Sequence, residues 1–205
     1  ASLGATAAIL LGIGTMLGEN FVGIVAAIGA FGVSLGVLLL SNCGGRSNSM
    51  KLLLSGMALS AVCSAFSSFI VYFANNKEGM QTISYWLMGS MANAKWENLA
   101  VVGPVVFLGT AFFWTQSRIL NLMLLGDDAA VTLGTDLNRY RHLYLIVSAL
   151  MVGFVVYSAG MIGFVGLIIP HVVRMFVGTG HKSLIPASAL VGAIFLVWAD
   201  VLCRV

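Results

Sequence analysis

Between residues 121 and 142 the chain reads NLMLLGDDAAVTLGTDLNRYRH, a polar island in an otherwise apolar sequence. Asp127, Asp128 and Asp136 are three of the seven acidic residues in the whole chain, and Arg118, Arg139 and Arg141 surround them. Gly126, Ala130 and Gly134 recur every four residues, which places them on one face of a helix. Asp127 or Asp128 suits the start of that helix, where a carboxylate accepts free N–H groups and matches the dipole. A smooth face of small residues suits insertion into a groove on another protein. A solvated loop with an incidental cap is the plainer alternative.

Other polar residues are scattered through apolar sequence. His171 and Arg174 follow Pro170. His171 has no second His, Cys or carboxylate at ligand spacing, so packing or hydrogen bonding near the local Gly cluster is expected in place of a metal. Arg174 is expected to brace the island electrostatically. Asp200 and Arg204 stand four apart, where they can pair and neutralise each other. Ionisable groups within a membrane are functional candidates, yet a self-contained pair near a helix end reads first as structural. Gly56, Ser60, Ser64, Ser67 and Ser68 form a small, hydroxylated stripe, which packing with hydroxyls bonded back to their own backbone would also explain. Cys43, Cys63 and Cys203 show neither disulfide nor metal spacing. No phosphate loop, no zinc motif and no Ser/His/Asp nucleophile motif occurs, so no catalytic centre, bound metal or resident cofactor is expected.

The elements that position these residues follow from composition. Of 205 residues, 60% are hydrophobic and 8% charged, against about 25% charged in ordinary soluble domains. Mean hydropathy is +1.01. So few charges cannot cover a soluble surface, and lipid must be the solvent. The 24 Gly suit close helix contact in membranes; Gly4, Ala8 and Gly12, Gly14 with Gly18, and Gly32 with Gly36 share the four-residue spacing. Spans of about 20 apolar residues are expected at 1–17, 21–41, 52–73, 99–115 and 184–203. The run 143–177 would reach roughly 50 Å as one helix, too long for a core of about 30 Å. Gly160, Gly163, Gly166 and Pro170 supply a break, giving helices at 143–159 and 164–177. The reading is an all-α, polytopic transmembrane bundle of about seven spans, a single domain over 1–205.

Loops at 42–51, 117–141 and 174–183 then share one side, with Arg46, Lys51, Arg118, Arg139, Arg141, Arg174 and Lys182. Lys77, Lys95 and Arg204 fall on the other, so the island is expected in the cytoplasm. The net charge of +3 thus reads as topology, not as a nucleic-acid signal. The segment 74–98, with Tyr85, Trp86 and Trp96, is expected to hold a short interfacial helix anchored by aromatics. Both ends of the chain read as cut.

LLGDDAAVTLG resembles the coupling loop of ABC importer permeases, which docks on the ATP-binding subunit. The stretch 160–204 is more specific. Gly163, Phe164, Gly166, Leu167, Pro170, His171 and Arg174, then Pro186, Gly192, Asp200 and Arg204, resemble the signature region of the FecCD family. These are permeases for iron–siderophore, haem and vitamin B12 uptake. YWLMGS at 85–90 is similar to another family motif, and ASLGA at the start resembles the helix after an upstream one. The resemblance implies a ten-helix permease fold, of which this chain holds the third to ninth helices. It implies that Gly126, Asp127, Asp128, Ala129, Ala130, Leu133 and Gly134, within a cytoplasmic loop at 117–141, couple to an ATPase. It also implies that the helix carrying Gly56, Ser60, Ser64 and Ser67 lines the translocation path. Expected partners are a second permease subunit, identical or not, two cytoplasmic ATPases that bind ATP and magnesium, an extracytoplasmic substrate-binding protein and the bilayer of a bacterial inner membrane. The alternatives are an ABC permease for a free metal ion and a secondary transporter driven by an ion gradient, which calls for pathway carboxylates.

Overall fold

The computed structural model describes residues 1–10, 20–42, 49–74, 77–89, 96–126, 130, 134–135 and 137–204. Among these, every regular element is a helix. They are α1 (Ser2–Leu10), α2 (Asn20–Asn42), α3 (Ser49–Ala74), α4 (Lys77–Met88), α5 (Trp96–Thr115), α6 (Ser117–Leu124), α7 (Leu137–Ala159), α8 (Val165–Val177) and α9 (His181–Arg204). Among the described residues, five stretches are long and apolar enough to cross a membrane: Phe21–Asn42, Met50–Phe73, Trp96–Thr115, Leu137–Ala159 and His181–Cys203. Phe107, Phe176 and Leu39 are largely exposed on their flanks, as lipid-facing side chains are. The chain is a multi-pass helical membrane protein.

Two further spans were expected, at 1–17 and 164–177. α1 is described over nine residues, and residues 11–19 lie outside the described set. α8 has 13 residues, about 20 Å of helix, short of a core of about 30 Å. The non-helical stretch 160–164 can supply the missing reach. α7 ends where the Gly160 N–H bonds the Val156 carbonyl, a left-handed helix stop. Sequence reasoning grouped Gly166 and Pro170 with this break, but both lie inside α8. Pro170 forfeits only the bond its own N–H would make to Gly166, a loss that membrane helices tolerate when neighbours re-satisfy the freed carbonyl. Phe164 starts α8 at φ 64° with its side chain outward, a left-handed conformation that costs a bulky residue about 1–2 kcal/mol.

Lipid tails are as apolar as Leu, so helices in a membrane associate by close packing. α2 packs against α1, α3 and α7, and α1 also touches α3 and α4. A methyl group at Gly4 would stand 2.7 Å from the Val25 carbonyl oxygen, so α1 and α2 meet backbone to backbone. Ala5, Ala26 and Val156 close that contact. Gly36 lies against Leu59, whereas Gly32 faces open space; Gly12, Gly14 and Gly18 lie outside the described residues. A second core joins α8 and α9 through Ile169, Val173 and Leu184. α5 packs against both α7 and α9 and so joins the two groups of helices.

Candidate functional site

The two ends of the island are described, and they carry helical hydrogen bonds. The Ala130 N–H bonds the Gly126 carbonyl at 3.3 Å, and the Thr135 N–H bonds the Ala130 carbonyl at 3.0 Å. The second is the six-to-one bond of a Schellman stop, with Gly134 at φ 74° in the left-handed position that favours Gly. Asp127, Asp128, Ala129, Leu133 and Asp136 lie outside the described residues. Ala130 is fully buried. Gly126 is half-buried and Gly134 exposed, with open space beside each. Leu124 and Leu125, just before Gly126, are 50% and 67% exposed. They open the LLGDDAAVTLG stretch, although the residues singled out from it began at Gly126.

Bonds between distant side chains gather the flanks of the island at one end of the bundle. The Asn42 amide donates to His142 Nε2 at 3.1 Å, tying the end of α2 to α7. The Tyr144 hydroxyl donates to Gln116 Oε1 at 3.3 Å, tying α7 to the α5–α6 junction. Phe112 and Phe113 surround the Tyr144 ring. Asn121 Oδ1 accepts from the His181 backbone N–H at 2.9 Å and from His181 Nδ1 at 2.7 Å. The Trp114 indole donates to the Lys182 carbonyl at 2.9 Å. Residues 42, 116, 121, 142, 181 and 182 thus share one end, as the expected loops at 42–51, 117–141 and 174–183 require. Arg174, in the last turn of α8, lies near enough to His181 for its charge to act on the ring.

At the opposite end, Gly89 of the YWLMGS motif has φ 67°, and a methyl there would stand 2.7 Å from the Met161 carbonyl oxygen. The motif needs Gly at this position because the exit of α4 rests directly on the Gly160–Gly163 break. α4 is the expected short helix, and Trp96 is exposed beyond it; the side chains of Tyr85 and Trp86 lie outside the described set. Gly163 sits in the break with open space around it. His171 is exposed on α8, where packing or a hydrogen bond was expected. Asp200 and Arg204 are one turn apart on α9, and the Arg204 side chain lies outside the described residues.

On α3, Ser60 and Ser64 are exposed and Gly56 is half-buried with nothing near it. Ser67, further along the same helix, is buried, its Oγ without a hydrogen-bond partner. A cavity of about 400 Å³ opens between α2, α5 and α7, walled by Phe31, Ala149 and Phe154 with Asn98 and Tyr157 as its polar members. No group of three or more His, Cys, Asp or Glu able to hold a metal ion occurs among the described residues.

The FecCD transport family matches residues 1–205. A cobalamin import system permease protein of Halobacterium salinarum is 38% identical over 204 residues, which is 100% of this chain and 54% of the relative. A hemin transport system permease protein of Yersinia pestis is 36% identical over 179 residues, 87% of this chain and 53% of the relative. A vitamin B12 import system permease protein of Salmonella arizonae is 35% identical over 206 residues, 100% of this chain and 60% of the relative. The chain therefore spans little more than half the length of these relatives. A solved structure described as an inward-facing conformation of a metal-chelate type ABC transporter superposes with a TM-score of 0.88 at 34% identity, over 99% of this chain and 63% of that one. With the family model matching residues 1–205 and relatives 35–38% identical along the chain, this protein belongs to the FecCD transport family.

Proposed function

We propose that this chain is transmembrane permease sequence of an ABC importer that carries an iron chelate, haem or a cobalamin-like molecule across the bacterial inner membrane. The observation that carries the reading is the family match over residues 1–205. The cargo classes come from the relatives, which are named for cobalamin, hemin and vitamin B12. The chain performs no covalent chemistry. It supplies a path whose access alternates, and a separate ATPase binds ATP and magnesium. Two permease subunits form the path, two ATPases dock from the cytoplasm, and an extracytoplasmic protein delivers the cargo. Nucleotide and cargo then bias one two-state gate.

Docking centres on the island from Gly126 to Gly134 and on Leu124 and Leu125 beside it. Buried Ala130 serves the island's own packing. Exposed apolar side chains at a water-facing helix end are what a protein partner covers. Ser60 and Ser64 are assigned to the path, as a weakly polar wall that passes a bulky chelate without trapping it.

The test is co-purification of the permease with its ATPase in detergent, wild type beside Leu125→Glu. A charge on a docking anchor costs more than 1 kcal/mol, so recovery of ATPase is expected to fall roughly tenfold. Ala130→Arg, by contrast, forces a charge into a buried position and should lower the yield of folded permease. Wild-type permease that recovers no ATPase would sink the reading. Equal recovery by Leu125→Glu would move the docking surface elsewhere.

A further inference from the structure

We infer that α6 is a lever that carries motion of the island to α9, with the Asn121–His181 pair as its point of attachment. The inference rests on the coupling role proposed above. Its basis is how the two flanks of the island are held. α6 runs directly into Gly126 and packs on α9 and α5. The helix on the other flank, α7, packs on α2 and α5 instead. The island therefore connects two different groups of helices: α1, α2, α3 and α7 on one side, α8 and α9 on the other.

Three polar contacts define the lever. At its start, Gln116 is held to α7 by the Tyr144 hydroxyl at 3.3 Å, which fixes a pivot. Five residues on, Asn121 Oδ1 accepts two hydrogen bonds from His181 at 2.9 and 2.7 Å. The first comes from the leading backbone N–H of α9. A helix start leaves such donors without partners inside the helix. Gly180 precedes α9 and has no side chain with which to cap them, so Asn121 caps α9 from another helix. The third contact, Trp114 to the Lys182 carbonyl at 2.9 Å, keeps the end of α5 against the same turn. Pulling the island turns α6 about Gln116 and draws the start of α9 with it. α8 follows, because Ile169 and Val173 are buried against Leu184. The α7–α8 break at 160–164, with no helical bonds across it, lets that pair move while α7 stays with α2.

Asn121 is thus a positioning residue for transport. It needs only an acceptor oxygen at Oδ1, which Asp retains and Leu lacks. The experiment measures ATP hydrolysis, cargo uptake and ATPase recovery together, in proteoliposomes holding the intact transporter with cobalamin, hemin or a ferric siderophore as cargo. Asn121→Leu is expected to keep ATPase recovery and hydrolysis near wild type while uptake per ATP falls roughly tenfold, within the usual span of coupling energies. Asn121→Asp is expected to restore the wild-type ratio. A purely structural role would lower hydrolysis and uptake alike and leave the ratio unchanged, which overturns the inference. So does unchanged uptake in Asn121→Leu, or an Asp variant as uncoupled as the Leu variant. Wild-type transporter that recovers no ATPase fails at the earlier step and refutes the importer reading itself.

Discussion

Gly89 shows how much one residue can report. Its φ of 67° disfavours any L side chain, and an added methyl would meet the Met161 carbonyl oxygen at 2.7 Å. Gly89→Ala is therefore expected to cost about 1–2 kcal/mol for the backbone alone, with the steric contact in addition. A melting temperature in detergent several degrees below wild type is the expected result; an unchanged one would mean that the α4–break contact is absent. In the sequence this position is only a Gly after a run of aromatics, so its reason was illegible until the 160–164 break came beside it. Asn121 and His181 were equally silent. They lie 60 residues apart, and nothing in the periodicity of either helix points to the other. Ala130 was legible as a small residue at helical spacing, but spacing alone does not say whether such a face looks outward or inward.

At the scale of elements, apolar length carried most of the reading. Runs of about 20 apolar residues leave few choices, and α2, α3, α5, α7 and α9 stand where those runs are. The break at 160–163 followed from a run too long for one helix. Its extent did not, because Pro170 looks like a breaker in sequence yet sits inside α8, where membrane surroundings tolerate it. α3 is where sequence and structure divide the stripe between them. Ser60 and Ser64 are exposed while Ser67, further along the same helix face, is buried. In a background without other cysteines, Ser60→Cys and Ser64→Cys should react with a water-soluble thiol reagent in at least one nucleotide state. Ser67→Cys should stay protected. Lack of reaction at both 60 and 64 in every state would remove α3 from the path.

The described helices form two groups with α5 between them, and the described flanks of the island share one end. If the island takes the docking role proposed for it, force applied there would reach α8 and α9 by a different route from α2 and α7. The sequence marked the island as the place where charge collects, and it marked the sidedness of the loops through Arg and Lys. It did not mark the cargo: Ser60 and Ser64 are small hydroxyl groups that many molecules could pass, and the 400 Å³ cavity is lined mostly by hydrocarbon. The most direct test is uptake into sealed proteoliposomes holding the transporter, with ATP alone or with an imposed ion gradient alone, for cobalamin, hemin and a ferric siderophore. Uptake of one of the three that requires ATP and persists when the gradient is collapsed is the predicted result. Uptake driven by the gradient without ATP would contradict the account and make the protein a secondary transporter.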